Sequence, residues 1–117
     1  MTQLMTASDV RVARAHVRAV CAQHDIGNER CEAAQLAVTE LLGNALRHGQ
    51  PPIDYDVVCD HGCLVMSVAD GSPSAPHPRV VPAATAESGR GMVLLEAVAQ
   101  QWWSEPTPGG KRVWALV

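Results

Sequence analysis

The chain has 117 residues, enough for one compact domain with a hydrophobic core and too few for two ordinary domains. Hydrophobic residues make up 47% and charged residues 18%, which is typical of a globular protein and excludes a disordered one. The net charge of −3 offers no basic footprint for nucleic acid, no apolar run is long enough to span a membrane, and Met1–Val10 lacks the features of a secretory signal. We therefore expect one domain over residues 1–117, in the cytoplasm, with no direct nucleic-acid or membrane partner.

The first predicted helix runs from about Val10 to Gln23, with Ser8 or Asp9 as its N-cap. Its apolar residues recur at helical spacing: Val10, Ala13, Val17, Val20 and Cys21. Arginines mark the other side: Arg11, Arg14 and Arg18. The arginine-bearing face of the helix is more simply interpreted as a solvated face than as one that binds a partner. Gly27 is predicted to end the helix.

The second predicted helix, from about Asn28 to His48, carries the most informative pattern in the chain. Glu40, Asn44 and His48 stand at i, i+4 and i+8, so at about 100° per residue they line one stripe of the helix. Beside the stripe lies a broad apolar face formed by Ala34, Val38, Leu41, Leu42 and Ala45. The helix should end where glycine and proline follow, at Gly49, Pro51 and Pro52.

This polar stripe is a candidate site, because an unpaired carboxylate or amide among apolar residues is costly. Asn44 offers a neutral oxygen that suits a hard divalent cation, and Glu40 can orient or deprotonate a hydroxyl or a water. The competing interpretation is an amphipathic core helix whose Glu40 and Asn44 merely lie at the edge of the buried face, since short patterns often match by chance.

Two alternating stretches, Ile53–Val58 and Leu64–Ala69, predict an antiparallel hairpin. The turn between them contains the segment CDHGC, but a zinc site would need tighter pairs and a second half, so a turn with reduced thiols is the favoured interpretation. The second strand delivers Asp70 at its end, followed by Gly71. Asp70 is either a carboxylate presented for binding or an ordinary turn aspartate.

The last third of the chain is predicted to contain a lid, a helix and a second hairpin. Residues 72–88 hold four prolines and no sustained periodicity, which indicates a loop or lid that should be mobile when nothing is bound. Gly89, Arg90, Gly91 and Met92 then open a third helix that runs to about Gln101. A glycine-rich entry to a helix suits phosphate oxygens. A final hairpin comprises Trp102–Glu105, a turn and Lys111–Val117.

The element order predicts an α+β two-layer sandwich, with helices on one face of a mostly antiparallel sheet. Glu40 with Asn44, Asp70, and Gly89 with Gly91 stand in the order of the N-box, G1 box and G2 box of the GHKL (Bergerat) nucleotide fold. Within that superfamily the chain resembles the small, stand-alone anti-sigma-factor serine/threonine kinases, which are bacterial transcription regulators. The resemblance runs from Ala7 to the C-terminus through LAVTELLGNALRHG, VADGSP, ESGRGMVLLEAVAQQWW and PGGKRVWALV.

This resemblance implies a role for each candidate residue. Asn44 would ligate Mg²⁺, Glu40 would be the catalytic base toward a serine hydroxyl, and Asp70 would bind the adenine amino group of ATP. The phosphates would be surrounded by His48, Gly89, Arg90, Gly91, Met92 and Lys111. The implied partners are a sigma factor and its antagonist protein, and the resemblance also allows a homodimer.

The chain departs from the family pattern at two positions after Asp70. Ser72 and Ser74 occupy the glycine positions of the G1 box, so the backbone near the base is less free than glycine would leave it. Two functions remain open: a kinase that phosphorylates an antagonist protein, and a non-catalytic module that sequesters a sigma factor or another partner with or without ATP. A scaffold with no nucleotide would leave Glu40 and Asn44 unexplained.

Overall fold

The computed structural model describes residues 7–72 and 94–117. In these ranges the elements are, in order, α1 (Ala7–Gln23), α2 (Asn28–His48), β1 (Asp54–Asp60), β2 (Cys63–Asp70), β3 (Gln101–Thr107) and β4 (Gly110–Leu116). Residues 94–98 form a further helical segment ahead of β3. The predicted α+β class is confirmed, because two long helices accompany a four-stranded antiparallel sheet.

The sheet has the order β1-β2-β4-β3, and every neighbouring pair is antiparallel. Side chains alternate between two faces along each strand, as expected for a pleated sheet. Val57, Met66 and Ala115 lie side by side on the buried face, where they meet the helices. Val58 and Trp103 are exposed on the other face. In the described part of the chain the helices therefore cover one face of the sheet, and the polar stripe of α2 lies in the layer above that face.

The core lies between the covered face of the sheet and the two long helices. α1 packs against β1, and α2 packs against β2. The largest fully buried apolar side chains are Val17, Val38, Leu42, Leu64, Met66, Val68 and Leu95. These residues come from α1, α2, β2 and the segment 94–98, so the core joins elements that are distant in sequence.

Two of the α1 arginines contact α2 and are not simply solvated. Arg14 Nη1 donates hydrogen bonds to Thr39 Oγ1 at 2.7 Å and to the carbonyl oxygen of Gln35 at 3.3 Å. Arg18 Nη1 donates to Gln35 Oε1 at 3.0 Å. The expectation of a solvated face holds for Arg11, which is exposed. Arg14 and Arg18 instead fix α1 against the helix that carries the candidate site.

The ends of α1 differ from the sequence prediction. The helix begins at Ala7, so Ser8 and Asp9 lie inside it and the predicted N-cap is wrong. At its C-terminal end the left-handed residue is Asp25, with φ of 58°, and the Ile26 N–H donates to the Cys21 carbonyl at 2.9 Å. Gly27 is extended and caps α2 instead. Aspartate tolerates the left-handed region better than most residues, which is why the stop needs no glycine.

The bounds of α2 agree with the prediction, and both hairpins are present. The first three strands are longer than predicted: β1 starts at Asp54 and reaches Asp60, β2 spans Cys63–Asp70, and β3 includes Pro106 and Thr107. β4 has the predicted length but starts and ends one residue earlier than predicted, at Gly110 and Leu116. The third helix ends at residue 98, and Gln101 already belongs to β3. Of the predicted lid, residues 73–88 lie outside the described residues. In the described part of the chain, no helix has both the length and the apolarity to cross a membrane.

Candidate functional site

The polar stripe of α2 runs from the middle of the helix to its exposed end. Glu40 is half-buried, Asn44 is buried at 9% exposure, and His48 is exposed. The apolar neighbours Leu41, Leu42 and Ala45 are all buried, so the stripe borders the core and does not lie on an open surface. The helix therefore presents a carboxylate, an amide and an imidazole along one line, with the amide the most buried of the three and the imidazole exposed.

Asn44 carries the most unusual polar atom of the stripe. Its side-chain oxygen, Oδ1, is fully buried and accepts no hydrogen bond from any residue that the structure describes. A buried acceptor without a donor costs about 1–3 kcal/mol, so folded proteins rarely retain one without a reason. A neutral amide oxygen is a good ligand for a hard cation such as Mg²⁺. The side chain therefore fits the metal-binding role that the sequence predicts.

Glu40 lies one turn before Asn44. Burial raises the pKa of its carboxyl group above the ordinary value, and the positive charge of Arg47 partly lowers it again. A raised pKa makes the carboxylate a stronger proton acceptor than an ordinary surface glutamate, and general-base catalysis is most efficient when the pKa of the base lies near the working pH. The environment of Glu40 is consistent with a general base.

Asp70 ends β2 and is buried at 6% exposure. Lys111 stands directly opposite it in the β2–β4 register, and the Lys111 ammonium donates a hydrogen bond to Oδ1 at 3.2 Å and lies 3.0 Å from Oδ2 as an ion pair. The Ser72 backbone N–H also donates to Oδ1, at 2.7 Å, which closes a local turn. Asp70 is therefore a buried, ion-paired carboxylate that is held at a fixed position.

Three glycines allow the backbone to close tightly around Asp70. A Cβ atom at Gly49 would lie 2.6 Å from the Asp70 carboxylate, and one at Gly71 would lie 2.5 Å from the Pro51 carbonyl oxygen. At Gly110 a Cβ atom would collide with the Asp70 carbonyl oxygen. The Gly71 N–H also donates to the Gln50 carbonyl at 2.6 Å. These contacts bring the end of α2, the end of β2 and the start of β4 together at one place.

Gly49 is required for a reason other than the predicted one. The sequence predicted Gly49 as the residue at which α2 ends, but its backbone is extended, with φ of −88° and ψ of −171°, a conformation that does not require glycine. Its missing side chain instead leaves room for the Asp70 carboxylate. The contact joins the helix of Glu40 and Asn44 to the strand of Asp70, so the structure brings these two parts of the predicted site together.

The remaining predicted site residues divide into two groups. Lys111, which the resemblance assigned to the phosphates, contacts Asp70 in the described structure. Gly89, Arg90, Gly91 and Met92 lie outside the described residues. Sequence reasoning missed the Asp70–Lys111 contact and the close approach at Gly110, because both depend on the β2–β4 register. The only advance signal was the position of Lys111 at the start of the last strand.

The cysteine-rich segment forms a turn, as expected. Residues 61 and 62 join β1 to β2, with φ of 54° at His61 and 82° at Gly62. All four cysteines are free thiols, and burial, together with a hydrogen bond to Cys31, raises the pKa of the Cys21 thiol to about 12. Among the described residues, no group of three or more His, Cys, Asp and Glu side chains could hold a metal ion.

A comparison with protein-family models matches almost the whole chain. The family model of the histidine kinase-like ATPase domain matches residues 5–116. The match includes α2 with Glu40 and Asn44, the end of β2 with Asp70, and Lys111 in β4. No curated protein sequence matches the chain.

Proposed function

Because the chain belongs to the histidine kinase-like ATPase domain family, which makes it an ATP-binding module, we propose that it is a serine/threonine protein kinase of the anti-sigma-factor type. It would bind ATP with Mg²⁺ and transfer the γ-phosphoryl group to a serine or threonine of an antagonist protein. The sigma factor would be its second partner. The motif resemblance supports this subfamily, and the chemistry of the α2 stripe supports the reaction.

The observation that carries the proposal is the buried, unpartnered Oδ1 of Asn44. Magnesium in nucleotide sites takes one or two protein ligands and completes its shell with phosphate oxygens and water. One free amide oxygen beside a half-buried carboxylate fits that pattern, whereas a complete protein cage does not form among the described residues. When bound, Mg²⁺ would neutralise charge on the phosphates and hold them in line for transfer.

In the proposed reaction, Glu40 accepts the proton of the attacking serine or threonine hydroxyl. The hydroxyl oxygen forms a bond to the γ-phosphorus of ATP as the bond from that phosphorus to the bridging oxygen breaks, and ADP leaves with the electron pair. Asp70 holds the adenine amino group at the other end of the site. Phosphoryl transfer depends mostly on positioning and electrostatics. One general base, together with a fixed carboxylate that binds the adenine, is therefore a sufficient contribution from these side chains.

A second candidate is a non-catalytic module that sequesters a sigma factor or another partner. The observation that favours it is the state of Asp70, whose carboxylate already accepts bonds from Lys111 and Ser72 within the chain. A carboxylate that is satisfied internally can serve the fold without a nucleotide. In this case ATP would be a structural ligand and Glu40 would have no chemical task.

The experiment that separates the two candidates is phosphoryl transfer from labelled ATP to a panel of candidate antagonist proteins. The kinase proposal predicts labelled serine or threonine with the wild type and a loss of about 10²- to 10⁴-fold in Glu40→Gln, the usual contribution of a general base. Glu40→Gln should still bind ATP, since the base acts mainly in the transition state. The matched control is Glu32→Gln, which changes an exposed carboxylate on the same helix.

Two outcomes would contradict the kinase assignment. Transfer by Glu40→Gln at the wild-type rate would remove Glu40 as the base. ATP binding by the wild type without transfer to any partner, together with nucleotide-sensitive capture of a sigma factor, would favour the sequestering module.

A further inference from the structure

The Asp70–Lys111 ion pair leaves hydrogen-bonding positions unused on both the carboxylate and the ammonium. A carboxylate offers about four acceptor positions, and an ammonium offers three donors. Asp70 Oδ1 accepts hydrogen bonds from the Ser72 N–H and from Lys111, and Oδ2 lies 3.0 Å from the Lys111 ammonium as an ion pair. Among the hydrogen bonds of the described residues, only one uses an N–H of Lys111 and none ends on Oδ2, so both groups keep positions for a ligand.

The two groups are held side by side in a dry place. The side chains of Lys111 and Asp70 are 8% and 3% exposed, and their strands place them opposite one another. The glycines at positions 49 and 110 keep the surrounding backbone close. A donor and an acceptor that are already desolvated and fixed lose little on meeting a ligand, so each hydrogen bond to the ligand contributes more than it would at the surface.

We infer that Lys111 is a specificity-determining residue that donates a hydrogen bond to N1 of adenine while Asp70 accepts one from the adjacent 6-amino group. The inference rests on the proposed binding of ATP at Asp70 and assigns to Lys111 the base end of the site in place of the phosphates. Adenine presents a donor and an acceptor next to each other on this edge, and the Asp70–Lys111 pair presents the complementary acceptor and donor.

A purely structural explanation of Lys111 is weaker on physical grounds. Burying an ion pair loses the hydration of both charges, and replacing such a pair by apolar residues of similar volume is often neutral or stabilising. The neighbouring Arg112, which points to the open face, pairs with Asp54 while staying partly hydrated. The sheet therefore accommodates an ion pair at this end without burying it. The burial of Lys111 is then better explained by a function in the site than by a contribution to the fold.

The test is calorimetric binding of ATP and of 1-deaza-ATP, both with Mg²⁺, to the wild type and to Lys111→Met. The analogue keeps the amino group and replaces N1 by a carbon that accepts no hydrogen bond. We expect the wild type to bind 1-deaza-ATP about 10- to 100-fold more weakly than ATP, as for loss of a hydrogen bond to a charged group. Lys111→Met should bind the two nucleotides about equally.

The matched control is Arg112→Met, which removes the next cation along β4 but on the open face and should keep the wild-type ratio. Equal affinity of the wild type for ATP and 1-deaza-ATP would overturn the inference, and this arm of the test uses the wild type alone. A wild-type preference that persists unchanged in Lys111→Met would overturn it as well. Failure of the wild type to bind ATP at all would remove the proposed function and the inference with it, whereas equal affinities would remove only the inference.

Discussion

Two ion pairs at the same end of the sheet have opposite surroundings. Asp70 and Lys111 lie on the face that the helices cover, with side-chain exposures of 3% and 8%. Asp54 and Arg112 lie on the open face, with exposures of 39% and 26% and an N···O distance of 3.1 Å. The Arg112 guanidinium also donates to Ser67 Oγ at 2.6 Å and lies 5.8 Å from the ring centroid of Trp114.

The difference separates an ion pair that supports the fold from one that belongs to a site. A partly hydrated pair such as Asp54–Arg112 contributes about 0–1 kcal/mol, and its loss is easily tolerated. A fully buried pair gains little net stability over apolar residues, yet losing one partner is costly because the other charge stays buried. The Asp70–Lys111 pair therefore makes the fold dependent on the residues that would bind the base.

The largest predicted effect is that of Asp70→Ala. The substitution leaves the Lys111 ammonium buried without its partner, and we expect a loss of about 3–5 kcal/mol in the free energy of unfolding. Urea denaturation followed by circular dichroism measures the loss. Asp54→Ala is the matched control and should cost less than about 1 kcal/mol. Equal losses for the two variants would show that burial does not distinguish the pairs.

The double variant Asp70→Asn/Lys111→Met sharpens the same comparison. Replacing both charges by neutral groups of similar size removes the unpaired ion, so most of the stability lost in Asp70→Ala should return. Nucleotide binding should not return, because the carboxylate acceptor is still missing. A double variant as unstable as Asp70→Ala would mean that packing, and not charge, holds this end of the sheet.

The next effect in size concerns the backbone around Asp70. In Gly110→Ala the new methyl group would collide with the carbonyl oxygen of Asp70 and the Cα atom of Gly71, backbone atoms that no side-chain rotation can move. We expect a loss of about 1–3 kcal/mol, as for other overpacked sites. Gly109→Ala is the control, since a Cβ atom there meets nothing within 4 Å. If thermal melts show the same change for both variants, the close approach at Gly110 is not a constraint.

A smaller, pH-dependent effect is expected at Glu40. Burial raises the pKa of its carboxyl group in the folded state, so this group contributes stability below the ordinary value of 4.5 and loses it as the pH rises through the raised pKa. Glu40→Gln removes this dependence of stability on pH. Its melting temperature, relative to the wild type, should therefore increase between about pH 4 and pH 7. A relative melting temperature that falls over this range would contradict the burial of the carboxyl group.

The smallest effect on stability is predicted for Asn44→Ala. The buried Oδ1 accepts no bond from the described residues, so its removal breaks none of the described contacts, and the free energy of unfolding should change by less than about 1 kcal/mol. The same variant should lose the part of ATP affinity that Mg²⁺ supplies, measured by calorimetry with Mg²⁺ and with EDTA. A large loss of stability without ligand would mean that Asn44 supports the fold and does not serve the metal.

The sequence was sufficient for features that depend on local patterns. The bounds of α2 follow from its apolar periodicity and from the Gly49 and Pro51 that end it, and Asp70 follows from the end of an alternating strand. The α2 stripe could be found because polar residues at i, i+4 and i+8 stand out on an apolar helix. These are interactions within one element or between neighbours in the chain.

Features that depend on contacts between residues distant in sequence could not be predicted from local patterns. The partner of Lys111 depends on the pairing of β2 with β4, across 41 positions of sequence. The need for glycine at position 49 depends on where a separate strand places a carboxylate. The stop of α1 at Asp25 involved a residue type that only sometimes adopts a positive φ. In each case the local sequence allowed several outcomes, and tertiary packing selected one.

The central claim is that Asn44 and Asp70 belong to one site that binds ATP with Mg²⁺, and a thermal shift experiment tests it most directly. At a nucleotide concentration about 100 times the dissociation constant, ATP with Mg²⁺ should stabilise the protein by about 2.7 kcal/mol. ATP with EDTA should give a smaller shift, Asn44→Ala should respond equally with and without Mg²⁺, and Asp54→Asn should behave as the wild type. No shift of the wild type at millimolar ATP and Mg²⁺, or an undiminished Mg²⁺-dependent shift in Asn44→Ala, would contradict the account.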